Sequence, residues 1–286
     1  MNDIQKCILD IYKSVRELCD RHSIPYYAIG GTCLGAIRHN GFIPWDDDMD
    51  IAIPIEYFEK FQDFAKKELP DHLKIYSGYN TNSYSAIFIK VINTRTTFIE
   101  RENMFDPKSY KGVFLDIMPI AGVPEDKNER DKYFRFIFHN IKMNAIRRTS
   151  VRSHTTLLKR SIALITIPIR KLIPRNYFLD KCMSKLRNYP FMDSVMTGYT
   201  WGAYGGRALC FPQKWFSQPA DIRFEDTVIY CPKEYDKYLS YQFGDYMKLP
   251  PKEKRFSGHV GLVDTQTSFL KYAKTPATVR KRIKSG

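Results

Sequence analysis

The sequence predicts an α+β fold with a mixed β-sheet and flanking helices, followed by a helical insertion and a C-terminal extension. Three observations carry that expectation. Apolar residues recur at helical spacing over 3–21 and 55–69. Short apolar or alternating runs, punctuated by Gly, Pro and Asn, lie between and after these segments. A stretch from His139 to Leu179 then holds nine Lys or Arg and no acidic residue, which sets it apart from its flanks.

Taken in order, Ile4, Ile8, Ile11, Val15 and Leu18 share one face of a helix over 3–21. Pro25 punctuates, and Tyr26–Ile29 reads as a short strand that runs into Gly30-Gly31. A short helix from Thr32 to His39 stops at Asn40-Gly41. The second half of the run Pro44–Pro54 alternates like a strand, and Ile55, Phe58, Phe61 and Phe64 return to helical period. Strand-like runs follow at 73–77, 84–92, 96–100 and Val113–Met118. Residues 125–189 are helical and basic, and the last hundred are aromatic and hard to assign. The expected organisation is a core over 1–124, a basic helical segment over 125–190 and an aromatic-rich extension over 191–286.

A chain of 286 residues with 43% apolar content buries a substantial core. Its net charge of +14 points to an acidic partner: nucleotide phosphates, nucleic acid or an anionic membrane. Nucleic acid is disfavoured, because the basic run lacks interleaved aromatics and no reading motif is present. The six cysteines form no C-x-x-C pair and have no His at zinc spacing, which suits free thiols in a reducing cytoplasm. Met1–Asp20 is amphipathic rather than apolar, so no signal peptide is expected. The longest apolar stretch, Ile162–Ile169, is too short to span a bilayer. With Lys159-Arg160 and Arg170-Lys171 beside it, 142–175 suits docking on an anionic membrane surface. The alternative is a basic helix pair packed on the core through the same apolar residues.

The carboxylates carry the chemistry. Asp48 and Asp50 are two apart on an expected strand, so their side chains share a face while Met49, Ile51 and Ile53 point into a core. Two carboxylates that close repel, and one takes up a proton unless a cation sits between them. Oxygen ligands with room for water and phosphate suit Mg²⁺, with Mn²⁺ as a substitute. Asp116, inside the apolar run Val113–Met118, is a third candidate, since a carboxylate there is costly without a ligand or partner. The blander readings are a solvated turn for Asp46–Asp48 and a loop cap or Arg partner for Asp116. Gly30-Gly31 permits positive φ and close approach to backbone N–H groups at a helix start that favours phosphate. Thr32 either donates its hydroxyl to a phosphate oxygen or caps the helix.

The stretch Gly30-Gly31-Thr32-Cys33-Leu34-Gly35-Ala36-Ile37-Arg38-His39, then Gly41-Phe42-Ile43-Pro44-Trp45-Asp46-Asp47-Asp48-Met49-Asp50-Ile51, closely resembles the LicD family. The likeness continues in Phe114–Pro119, Phe224-Glu225, Gly244-Asp245-Tyr246-Met247 and Leu249-Pro250-Pro251, with a gap over about 125–190. Cys33, where an aliphatic residue is commoner, and Phe243, where Tyr is usual, depart from the pattern. The family comprises bacterial phosphocholine transferases and is related to fukutin and fukutin-related protein. Its fold resembles the nucleotidyltransferase superfamily of DNA polymerase beta, whose Gly-Gly turn, Asp-x-Asp strand and later third Asp match Gly30-Gly31, Asp48–Asp50 and Asp116.

The resemblance implies that Mg²⁺ or Mn²⁺ on Asp48, Asp50 and Asp116 holds the diphosphate of a CDP-alcohol donor. Phosphocholine, or a similar phosphorylated alcohol, would pass to a hydroxyl of a cell-surface glycan or lipid-linked oligosaccharide, and CMP would leave. Asp116 would help take the proton. Arg38 holds a donor phosphate or lies on the helix surface, and Lys90 reaches a phosphate or faces outward from its strand. Arg255 and His259 contact nucleotide or acceptor, while Trp201 and Tyr204 line a choline cage or belong to the core. The rival activity on the same fold is a nucleotidyltransferase that makes the CDP donor from CTP and releases pyrophosphate. The expected location is cytoplasmic, peripheral at the inner face of the membrane.

Overall fold

The computed structural model describes residues 1–81, 86–101, 106–148, 172–201, 207–256, 260–276 and 279. Helix α1 (Asp3–Arg21) opens with a capping box. The Asn2 side chain accepts the Gln5 N–H at 2.9 Å, and Gln5 Oε1 accepts the Asn2 N–H at 3.1 Å. Strand β1 (Tyr27–Ala28) leads directly into α2 (Gly30–His39). Asn40, at φ +53°, ends α2 in the left-handed conformation that the Asn-Gly stop predicts. Then come β2 (Asp50–Pro54), α3 (Ile55–Glu68), β3 (Leu73–Tyr76), β4 (Ile89–Asn93), β5 (Thr97–Glu100) and β6 (Phe114–Val123).

The central sheet has the order β1-β2-β6-β4-β3, in which only the β2–β6 pair is parallel. The α+β class and the mixed sheet are therefore as the sequence predicts. Every residue of β2 and β6 is buried, as expected of strands covered on both faces. Helices α1 and α3 both pack against β6. The strand expected over Val113–Met118 runs on to Val123. Pro119 has no N–H to give a ladder and so reads as a stop, but it sits in register with Ile53 and the apolar run continues past it.

Helix α4 (Lys127–Arg148) packs against α5 (Tyr177–Arg187), and Arg147 donates to the Ile173 carbonyl at 2.9 Å. Residues 149–171, and with them most of the expected membrane contact 142–175, lie outside the described residues. Strand β7 (Met196–Trp201) pairs with Ala121–Val123 of β6 and with β8 (Arg207–Pro212), giving the sheet seven strands. The extension thus contributes strands to the core sheet. Strands β9 (Pro219–Phe224) and β10 (Thr227–Pro232) form a hairpin, and β10 packs on β1. Helix α6 (Tyr235–Phe243) follows, then β11 (Val260–Asp264), paired with β5, and α7 (Phe269–Lys274). All six cysteines are free thiols, and no described helix is long and apolar enough to cross a membrane.

Candidate active site

Strand register puts three charged residues in one row. Asp50 stands opposite Asp116 across the parallel pair, and Asp116 stands opposite Lys90 across the antiparallel pair. Directly opposed residues share a sheet face, so the row presents carboxylate, carboxylate and ammonium together. All three are buried. Lys90 Nζ donates to both Asp116 oxygens, at 2.6 and 2.7 Å, and lies 3.5 Å from the Phe114 ring centroid. The partner of Asp116 is thus a lysine rather than an arginine, and Lys90 does not face outward. Lys111, 5.1 Å from the same ring centroid, pairs with Glu100 at 2.9 Å.

Asp48 is not on the strand. β2 begins at Asp50, so the same-face argument from strand periodicity does not apply, and Asp46–Asp48 form a loop leading into it. One carboxylate oxygen from each of Asp46, Asp47 and Asp48 lies within 4.8 Å of the others. Asp47 is 4% exposed, and neither of its oxygens has a hydrogen-bond partner. That burial takes Asp47 out of a solvated turn, while Asp46 and Asp48 are half-buried. Gln5, itself buried, clamps the loop by donating from Nε2 to the carbonyls of Ile43 at 3.1 Å and Asp46 at 3.0 Å.

The loop rests on the start of α2. Gly30 has φ +55°, and its N–H donates to the Tyr238 hydroxyl at 2.7 Å. That hydroxyl is bonded in turn to Tyr199 at 2.7 Å. A Cβ on Gly31 would lie 3.0 Å from Asp46 Oδ2, so glycine allows the carboxylate to approach the backbone. The helix begins two residues before Thr32, which therefore is not its cap. Thr32 Oγ1 accepts the Asp50 N–H at 2.8 Å and ties α2 to the first residue of β2.

Burial, and then Asp50, Asp46, Asp116 and Asp47, push the Asp48 carboxyl well above its usual range. Burial and Asp116 raise Asp50 likewise, against the opposing pull of Lys90. Asp116 is raised by burial, while Lys90 and Lys111 act to lower it. Burial and Lys90 hold Lys111 below the ordinary lysine range. Such a cluster fits a hard divalent cation: the donors are all carboxylate oxygen, and a buried carboxylate stands without a hydrogen-bond donor. Asp46, Asp47 and Asp48 converge for such an ion with Asp50 two residues on. Asp116 could join as a ligand through the lone pairs that its bonds to Lys90 leave unused.

Arg38 and Arg255 both reach the His39–Trp45 pair, Arg38 through His39 and Arg255 over the Trp45 ring. Arg38 donates from Nη1 to the Tyr246 carbonyl at 2.8 Å and from Nε to His39 Nε2 at 3.0 Å. Arg255 donates to the Pro250 carbonyl at 2.8 Å, and its guanidinium carbon lies 5.4 Å from the Trp45 ring centroid. Burial, then the neighbouring Arg255, lower the Arg38 pKa. His259, Tyr204 and the Trp201 side chain lie outside the described residues. The sequence reading missed Gln5, Asp47, Lys111, Glu100 and Tyr238, which hold or complete this site.

Residues 23–147, from just before β1 to the last turn of α4, match the family model described as LicD/FKTN/FKRP, nucleotidyltransferase domain. The lipopolysaccharide cholinephosphotransferase LicD of Haemophilus influenzae is 28% identical over 269 residues, covering 91% of this chain and 96% of that one. The chain is a phosphotransferase enzyme. Within that class, its similarity is to the LicD family. An uncharacterised protein of Rickettsia prowazekii is 27% identical over 149 residues, covering 44% of this chain and 56% of that one.

Proposed function

We propose that this enzyme transfers phosphocholine, or a similar phosphorylated alcohol, from a CDP-activated donor to a glycan hydroxyl and releases CMP. The observation that carries the reading is the buried row Asp50–Asp116–Lys90 beside the orphaned carboxylate of Asp47. The Haemophilus relative, a cholinephosphotransferase named for lipopolysaccharide, supports the transferred group and the kind of acceptor. The family model supports a core of nucleotidyltransferase type.

The residues divide the work by charge. Asp48 and Asp50, together with Asp116, would hold a divalent cation, which when bound would neutralise charge on the donor diphosphate. Lys90 is placed to shift from Asp116 to a phosphate oxygen, and the Thr32 hydroxyl retains a proton to donate there. The Gly30-Gly31 turn lets the diphosphate come close to the start of α2. A glycan oxygen forms a bond to the distal phosphorus as the bond from that phosphorus to the CMP oxygen breaks. Asp116 accepts the hydroxyl proton; a carboxylate pKa raised towards the working pH suits a general base. Arg38, Arg255 and His259 serve as further substrate contacts, and the reaction is placed at the cytoplasmic face of the membrane.

A panel of CDP-choline, CDP-ethanolamine, CDP-glycerol and CDP-ribitol, scored for acceptor-dependent CMP release with and without Mg²⁺ or Mn²⁺, tests this. Release of pyrophosphate from CTP in place of CMP from the panel would assign the enzyme to donor synthesis instead. Full turnover in thoroughly chelated protein would remove the metal from the scheme.

A further inference from the structure

Outside the carboxylates, the convergence of two guanidiniums stands out. None of the ion pairs among the described residues includes Arg38 or Arg255. Both are partly buried, and they come from places remote in sequence, α2 and the turn that follows Pro250-Pro251. Each is anchored to a backbone carbonyl through one nitrogen, and the two flank the same residue pair: Arg38 donates to His39, and Arg255 lies over the ring of Trp45, which packs on His39. His39 Nε2 accepts from Arg38 and is therefore unprotonated there, so its imidazole adds no third charge. Trp45 stands edge-on to His39, ring centroids 6.1 Å apart, and forms the wall on which Arg255 lies.

We propose that Arg38 and Arg255, backed by Trp45, form a phosphate-binding subsite distinct from the carboxylate cluster. Arginine presents a planar fork of donors that matches phosphate oxygens, and with one N–H committed to a carbonyl each guanidinium retains others for a ligand. A dianion between the two cations relieves the repulsion that their anchoring imposes. The subsite borders the acidic run, because Trp45 immediately precedes Asp46. The bound phosphate belongs either to the donor diphosphate or to a phosphoryl group on the acceptor glycan. That choice of source rests on the transferase reading, but the binding of phosphate does not.

The test separates the two. Metal-free protein in chelator is titrated with methyl phosphate by calorimetry, conditions in which the carboxylate cluster repels anions. Wild type should bind, and Arg38→Gln and Arg255→Gln should each weaken binding about tenfold or more, as expected for lost charge-assisted bonds. Arg255→Lys should restore part of the affinity. Should Arg38→Gln unfold for want of its Tyr246 contact, the Trp45 indole resonance of wild type must shift on titration. No metal-free binding, or binding equal in all variants, overturns the subsite. In turnover assays a raised KM for CDP-choline assigns the phosphate to the donor, and a raised KM for the glycan assigns it to the acceptor. If neither KM moves although methyl phosphate binds, the site holds an adventitious ion only and its substrate role is lost. If no donor turns over, the transferase reading fails while the calorimetry still decides the subsite.

Discussion

Replacing Lys90 with Met keeps the unbranched stem over Phe114 but removes the ammonium that donates to both oxygens of Asp116. Asp116 must then stay charged without its partner or bind a proton. Removing one member of a buried ion pair costs about 3–5 kcal/mol. Lys90 is 6% exposed and Asp116 8%, so water can do little to lessen that figure. Protonation does lessen it. Burial already holds the Asp116 carboxyl above its ordinary range, and loss of Lys90 raises it further. The folded state then binds a proton more tightly than the unfolded chain. Stability is therefore greatest below the unfolded value and falls as pH rises through the raised folded one. Urea denaturation should show the variant losing about 3–5 kcal/mol near pH 8 and distinctly less near pH 5. Adding Asp116→Asn removes the stranded charge, so Lys90→Met/Asp116→Asn should be more stable than Lys90→Met alone near pH 8. An equal loss at both pH values, or a double variant no more stable than the single one, would refute the view that Lys90 is there to neutralise Asp116.

Asp50→Asn should lower turnover at least about tenfold, since lost metal charge stabilisation raises the barrier by several kcal/mol. The same variant should melt no lower than wild type, because its amide no longer repels Asp116; thermal denaturation and CMP release together check this. The raised pKa values of Asp48 and Asp50 make the metal-free protein less stable as pH climbs through them. Mg²⁺ should therefore raise the melting temperature more near pH 8 than near pH 5, and a gain that failed to grow with pH would count against carboxylate ligation. Tyr238→Phe leaves the buried Gly30 N–H without its acceptor. It should cost about 1–3 kcal/mol in denaturant titration and lower kcat; unchanged values of both would show that the α2 turn does not depend on that bond.

Local periodicity made much of the core legible. The helices 3–21 and 55–69 and the Asn40-Gly41 stop follow from spacing and turn chemistry, which depend on neighbours in sequence. Errors arose where a local signal was overruled by packing at a distance. Pro119 reads as a strand end, but β2 on one side and the later pairing of Ala121–Val123 with β7 carry the strand through. Asp48 reads as a strand residue by parity with Asp50, but the ladder starts only at Asp50. The extension resisted assignment because β7 and β8 have their partners in a sheet whose other strands lie far upstream.

Lys90 shows why the candidate site was only half readable. Asp48, Asp50 and Asp116 can be named from the cost of placing a carboxylate in an apolar run. Which cation answers that cost depends on strand order, and β6 enters the sheet between β2 and β4, although β4 precedes it in the chain. Only that insertion puts Asp116 between Asp50 on one side and Lys90 on the other. The acidic loop is set in the same non-local way. Gln5 on α1 holds its carbonyls, Gly31 admits its Asp46 carboxylate, and Tyr238 on α6 holds the Gly30 turn beneath it. The contacts that position the carboxylates thus come from both ends of the chain. The extension is accordingly part of the site, because without α6 the Gly30 N–H would lose the hydroxyl to which it donates at the start of α2.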